Sequence, residues 1–151
     1  MKNMIYYCAK GKEENTDAKN DHAKKIAGAI AVGAKTPSYA IGAHSVVSDT
    51  GVLFVGCESK NGKIPRIVRN FLKTLSPKQV KLVVVFSVIT GGTDSALAAV
   101  KTILDPAGVS VSGEEFICKG ASAFSNKGCP TEQDFENAKA FAAQVVSVNK
   151  F

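Results

Sequence analysis

Residues 81–97 limit this chain more than any other stretch. An apolar run, Leu82-Val83-Val84-Val85-Phe86-Ser87-Val88, breaks into Thr90-Gly91-Gly92-Thr93-Asp94-Ser95 and resumes as Ala96-Leu97-Ala98-Ala99-Val100. A continuous Val-rich run belongs to a strand covered on both faces, which occurs almost only in α/β sheets flanked by helices. The passage therefore reads as a buried parallel strand, a glycine turn and a helix. Sheets of this kind bind ligands at the carboxyl ends of their strands, so the turn over 90–95 is the first place to look for function.

The rest of the chain alternates strands with amphipathic helices in the same way, without an internal repeat. Strands are predicted over 4–7, 39–43, 52–56, 81–88 and 109–118. Helices are predicted over 21–34, 65–75, 95–104 and 131–146. In the first helix Ile26, Ala27, Ile30, Ala31 and Ala34 share one face. In the second, Pro65 fits the first turn, and Ile67, Val68, Phe71, Leu72 and Leu75 are expected to point inward. Thr131 with Asp134 forms a capping start for the last helix, since a hydroxyl accepts a free backbone N–H there.

A chain of 151 residues makes a single domain that needs no covalent staple. Its longest apolar stretch, 82–89, is far short of the roughly 20 residues of a spanning helix, and the amino terminus runs straight into a strand. A cytoplasmic protein without membrane contact is expected. Cys8, Cys57, Cys118 and Cys129 have neither CxxC spacing nor clustered histidines, so reduced thiols are expected and a zinc site is not. His22 and His44 are isolated. No Ser-His-Asp set or paired-carboxylate site emerges, so no catalytic side chain is assigned.

The strand, loop and helix order, the segment 52–75, and the tail carry a resemblance. The tail runs from Glu114-Glu115-Phe116-Ile117-Cys118-Lys119-Gly120 through Asn126-Lys127-Gly128-Cys129-Pro130 into an acidic-then-alanine helix. In these features the chain resembles short-chain flavodoxins and flavodoxin-like proteins over nearly its whole length, most strongly in the last third. The resemblance implies a three-layer α/β fold with a five-stranded parallel sheet in order 2-1-3-4-5. It also implies flavin mononucleotide (FMN) at the strand carboxyl ends and electron transfer as the function. The alternative is an interaction module that kept the fold and lost the cofactor.

Three loops would carry the cofactor under that resemblance. The family holds the phosphate in a Ser/Thr-x-Thr-Gly-Asn-Thr loop between strand one and helix one, where N–H groups and the helix dipole favour an anion. Here Cys8-Ala9-Lys10-Gly11-Lys12-Glu13 keeps only the glycine, and Asn15-Thr16 is a displaced fragment of the motif. Helix one is delayed, which implies an insertion of roughly ten residues at a junction where short loops are usual. Glu13, Glu14 and Asp17 oppose a phosphate, and Lys10 and Lys12 partly offset them. Cys8, Lys10, Gly11, Lys12, Asn15 and Thr16 are thus the phosphate candidates, with degradation of that site as the alternative.

The second loop, 57–63, supplies Cys57, Ser59, Asn61 and Gly62 as ring candidates, although it lacks the aromatic on which flavin rings commonly stack. The third supplies Thr90, Gly91, Gly92, Thr93 and Asp94. Its other reading is an ordinary strand-to-helix turn with Thr93 or Asp94 as cap.

In a 2-1-3-4-5 sheet, strands one and three adjoin, so Cys8 and Cys57 would flank one cleft, either as a redox pair or as small apolar fillers. Cys118 and Cys129 follow the last strand and form a second possible approach. Lys and Arg outnumber Asp and Glu by 19 to 13, a net charge of +6. Lys60, Lys63, Arg66, Arg69, Lys73, Lys78 and Lys81 cluster on or around the helix over 65–75. They make either a solvated face or a field that attracts an acidic redox partner. Nucleic acid is not expected, because exposed aromatics do not interleave with the charges.

Overall fold

The computed structural model describes residues 1–9, 21–43, 45–121 and 126–151. In chain order the elements are β1 (Lys2–Tyr7), α1 (His22–Ala34), β2 (Ser38–Ala40), β3 (Thr50–Lys60), α2 (Arg66–Leu72), β4 (Val80–Gly91), α3 (Leu97–Leu104), β5 (Val111–Lys119) and α4 (Glu132–Val148). The five strands form one parallel sheet in the order β2-β1-β3-β4-β5, as the resemblance implied. No helix among the described residues is long and apolar enough to cross a membrane.

Side chains alternate across a strand, so a strand that is apolar throughout feeds two cores at once. Leu53, Val55, Cys57, Val83 and Val85 point to the face covered by α2 and α3, where Val68, Phe71, Leu72, Val100 and Leu104 meet them. Val52, Phe54, Val84, Phe86 and Val88 point to the opposite face, against Ile26 and Ile30 of α1 and Ala138, Ala142 and Val145 of α4.

Local chemistry sets the helix ends. Asp21 caps α1 by accepting the Lys24 N–H, and Lys35 ends it in a left-handed conformation with φ 55°. At α4 a full capping box forms, since Thr131 accepts the Asp134 N–H at 3.2 Å and the Asp134 carboxylate accepts the Thr131 N–H at 2.7 Å. Thr131→Ala should cost about 1 kcal/mol. That amounts to roughly 2–4 °C in a melting curve for a chain of this size, and an unchanged midpoint would show the cap to be idle.

Several expectations need correction. β3 and β4 run on to Lys60 and Gly91, past Gly56 and Val88, because their backbones go on pairing (Glu58↔Val88, Ser59↔Ile89, Lys60↔Gly91) after the apolar side chains stop. β2 is only Ser38–Ala40, and α2 stops at Leu72 although Leu75 remains buried. Ile67 is 43% exposed and does not point inward. At 100° per residue it lies well round the helix from Val68 and Leu72, and it lines a groove with Ile41 and Phe71 beside the β2 edge.

Candidate functional site at the sheet's carboxyl edge

The sheet order reverses direction at the junction of β1 and β3, and in this parallel sheet the carboxyl ends of β1, β3 and β4 lie along the same edge. From β1 comes Cys8, whose N–H continues the ladder by donating to the Gly56 carbonyl at 3.0 Å. From β3 come Cys57 and Ser59, both buried within the strand, and then the turn residues Asn61 and Gly62, both at positive φ. From β4 come Thr90 and Gly91, followed by the exposed Gly92, Thr93 and Asp94. Lys10, Gly11, Lys12, Asn15 and Thr16 lie outside the described residues.

The second and third loops are bonded to one another. The Asn61 N–H donates to the Gly91 carbonyl at 2.9 Å, and the Ser59 hydroxyl donates to the Asp94 carbonyl at 3.1 Å. A Cβ on Gly92 would meet Asn61 Oδ1, and one on Gly62 would come within 3.2 Å of the Asp94 Cβ. Gly92 has φ +71°, a conformation that side chains rarely adopt, so glycine is required there for two reasons. These contacts tie Asn61, Gly62 and the stretch from Gly91 to Asp94 into one continuous rim.

Sequence reasoning missed the residue that sets the third loop. Neither Thr93 nor Asp94 caps α3. The fully buried Ser87 in the middle of β4 accepts the Ala96 N–H at 3.0 Å, and Ser95 Oγ accepts the Leu97 N–H at 3.3 Å. The signal was present, because Ser87 is the one hydroxyl inside the run 82–89. Ser87→Ala leaves the Ala96 N–H without an acceptor in a dry place, which should cost about 1–3 kcal/mol. Amide exchange at residues 91–96 should accelerate with it, whereas unchanged exchange would show that the loop is held elsewhere.

Three thiols, Cys8, Cys57 and Cys118, are held in the neutral form at neutral pH. Burial is the main force that raises Cys57 to about 12, assisted by Cys8 and Glu58, and that raises Cys8 to about 11, assisted by Asp21 and Glu58. Cys118 rises to about 12 through burial, Asp134 and Cys129. All four cysteines are free. Among the described residues no three His, Cys, Asp or Glu side chains gather to hold a metal ion.

No protein-family model and no curated protein sequence matches this chain. Solved structures do. Oxidised flavodoxin 2 from Bacillus cereus superposes with a TM-score of 0.66 at 18% identity, covering 98% of this chain and 99% of that one. The chain has the flavodoxin fold. A short-chain flavodoxin associated with a bacterial microcompartment also gives 0.66, at 15% identity over 99% of this chain and 100% of that chain. Rubredoxin oxygen:oxidoreductase from Desulfovibrio gigas gives 0.62 at 18% identity, with 98% of this chain matching 36% of that chain.

FMN, the cofactor that the sequence resemblance implies, has a phosphate end and a ring end, and the described residues differ in how they suit the two. At α1 the N-terminal N–H of Lys24 is already taken by Asp21, whose carboxylate is wholly buried. That carboxylate already occupies an N–H that a phosphate at the helix end would use, so the described end of this helix does not offer it to one. The rim of Asn61, Gly62 and Thr90 to Asp94 does fit the polar edge of a planar ring, since glycines let backbone groups approach it. No aromatic side chain lies in that rim.

Proposed function

We propose that this chain is a cytoplasmic, flavin-binding electron-transfer protein that holds FMN at the carboxyl edge of its sheet. The observation that carries the reading is the preassembled rim of Asn61, Gly62 and Thr90 to Asp94 at the carboxyl ends of β3 and β4. When bound, a flavin supplies the one- and two-electron chemistry, and the protein supplies binding, orientation and local electrostatics. The bonds Asn61–Gly91 and Ser59–Asp94 keep the two ring-facing loops in a single geometry before any ligand arrives, which lowers the ordering cost of binding. Asp94 and Glu58 are the carboxylates nearest this edge in sequence. The described rim residues include no aromatic side chain to stack on the ring, which predicts modest affinity.

Gly92→Val tests the rim directly, because a side chain there meets both an unfavourable φ and Asn61. Titration followed by flavin fluorescence should show saturable binding of FMN by the unmodified chain, weakened about tenfold or more in the variant while far-UV circular dichroism is unchanged. Equal binding by both proteins would remove the rim from the ligand site.

Charge supports a partner of one kind. The segment 59–93 contains seven basic residues, Lys60, Lys63, Arg66, Arg69, Lys73, Lys78 and Lys81, and no Asp or Glu. All seven are exposed, and none forms an ion pair with a described acid. Arg66 and Arg69 share α2 with the exposed Ile67, which borders a groove of about 340 Å³ lined also by Ile41 and Phe71. This surface suits an acidic redox partner protein, steered by the field and released by salt. It equally suits the second reading, a flavodoxin-fold interaction module without cofactor, which the Asp21 cap favours.

A further inference from the structure

β1 and β3 are adjacent and parallel, and Tyr7 stands opposite Gly56. The Cys8 N–H donates to the Gly56 carbonyl at 3.0 Å, the bond that closes the Tyr7–Gly56 pair, and Cys8 and Cys57 are the residues that follow that last pair on the two strands. Both belong to the face covered by α2 and α3, where Cys57 is part of the buried core and Cys8 packs against it. Neighbouring strands lie about 4.8 Å apart, inside the usual Cα window of a disulfide of about 4.4–6.8 Å. The two sulfurs differ in access. Cys57 is 2% exposed, and Cys8 is only partly buried at the mouth of the cleft.

We infer that Cys8 and Cys57 form a dithiol/disulfide site at the switch point of the sheet, with Cys8 as the entry thiol and Cys57 as the resolving thiol. The oxidant is a low-molecular-weight disulfide. The Cys8 thiolate attacks one of its sulfurs, giving a mixed disulfide and releasing one thiolate. The Cys57 thiolate then attacks Cys8 Sγ, closing the Cys8–Cys57 bond and releasing the second. Two protein thiols are oxidised, one external disulfide is reduced to two thiols, and the two protons pass from the cysteines to the leaving thiolates. Burial keeps both cysteines neutral at rest, with Asp21 and Glu58 assisting at Cys8 and with Cys8 and Glu58 assisting at Cys57, so the site resists casual oxidation. The closed disulfide carries no charge, so those carboxylates place no such penalty on it. The inference is independent of flavin.

Glutathione disulfide provides the test. The folded full-length chain is incubated with it, quenched in acid and digested, and its cross-links are mapped by mass spectrometry. The expected product joins the peptide containing Cys8 to that containing Cys57, with the loss of two hydrogens and no glutathione retained on either. Cys57→Ser should trap one glutathione on Cys8. Cys8→Ser should leave Cys57 unmodified. The inference is overturned if Cys8 in the unmodified chain keeps its glutathione while Cys57 stays free, if neither thiol reacts, or if the linkage appears only in urea. The map of the unmodified chain decides the matter even where a variant folds poorly.

Discussion

Gly56→Ala should destabilise the protein by about 3 kcal/mol, the upper end of what overpacking a dense core costs. Gly56 lies in the middle of β3 directly opposite Phe86 of β4, and a Cβ there would lie against the Phe86 ring carbons. Phe86 is wholly buried between the sheet and the α1–α4 layer, so its ring has nowhere to retreat. The melting midpoint should fall by roughly 6–12 °C. Phe86→Leu frees part of the same space, so the double variant should be more stable than the sum of the two single losses by about 1 kcal/mol or more. A near-normal midpoint for Gly56→Ala would mean that this pair of strands packs differently.

The second large effect is a reversal of sign within one helix. Gly33 of α1 faces α4 so closely that a Cβ would meet the Lys139 carbonyl and lie 3.1 Å from the Ala142 Cβ. The carbonyl is helix backbone and cannot rotate aside, so α1 and α4 must separate. Gly33→Ala should therefore cost about 2 kcal/mol net, even after the gain of about 1 kcal/mol that alanine brings to a helix. Gly28 lies in the same helix with nothing within 4 Å of an added Cβ. There the propensity term acts alone, and Gly28→Ala should stabilise by about 0.5–1 kcal/mol. Urea unfolding of both variants measures the contrast. Two changes of the same sign would show that α1 and α4 do not approach as closely as described.

The layers were legible in sequence because both faces of the central strands are apolar. Leu82 to Val88 leaves no polar side to turn outward, so helices must lie on both faces, and the strand order followed from resemblance. The carboxyl edge was harder to read for a physical reason. Ser59, Lys60 and Gly91 extend the β3–β4 ladder through backbone hydrogen bonds, which their side chains do not announce. The segment 57–63 therefore reads as a loop although Cys57 and Ser59 are enclosed. Ile67 misled because a short helix near an edge has two apolar sides, one toward the core and one toward the groove. Asp21 was legible as the start of α1. Its consequence, a carboxylate at the helix end where an anion is expected, required the burial and the bond to Lys24.

The most direct test is an equilibrium titration of the purified, reduced chain with FMN and, separately, with riboflavin. A rim that holds the ring edge beside a helix end closed by Asp21 predicts saturable binding of both, with affinities within about threefold of each other, a difference under roughly 0.7 kcal/mol. Asp21→Asn keeps a capping side chain and should improve FMN alone. Much tighter binding of FMN than of riboflavin would contradict the assignment of Asp21, and no saturable binding of either would contradict the flavin reading itself.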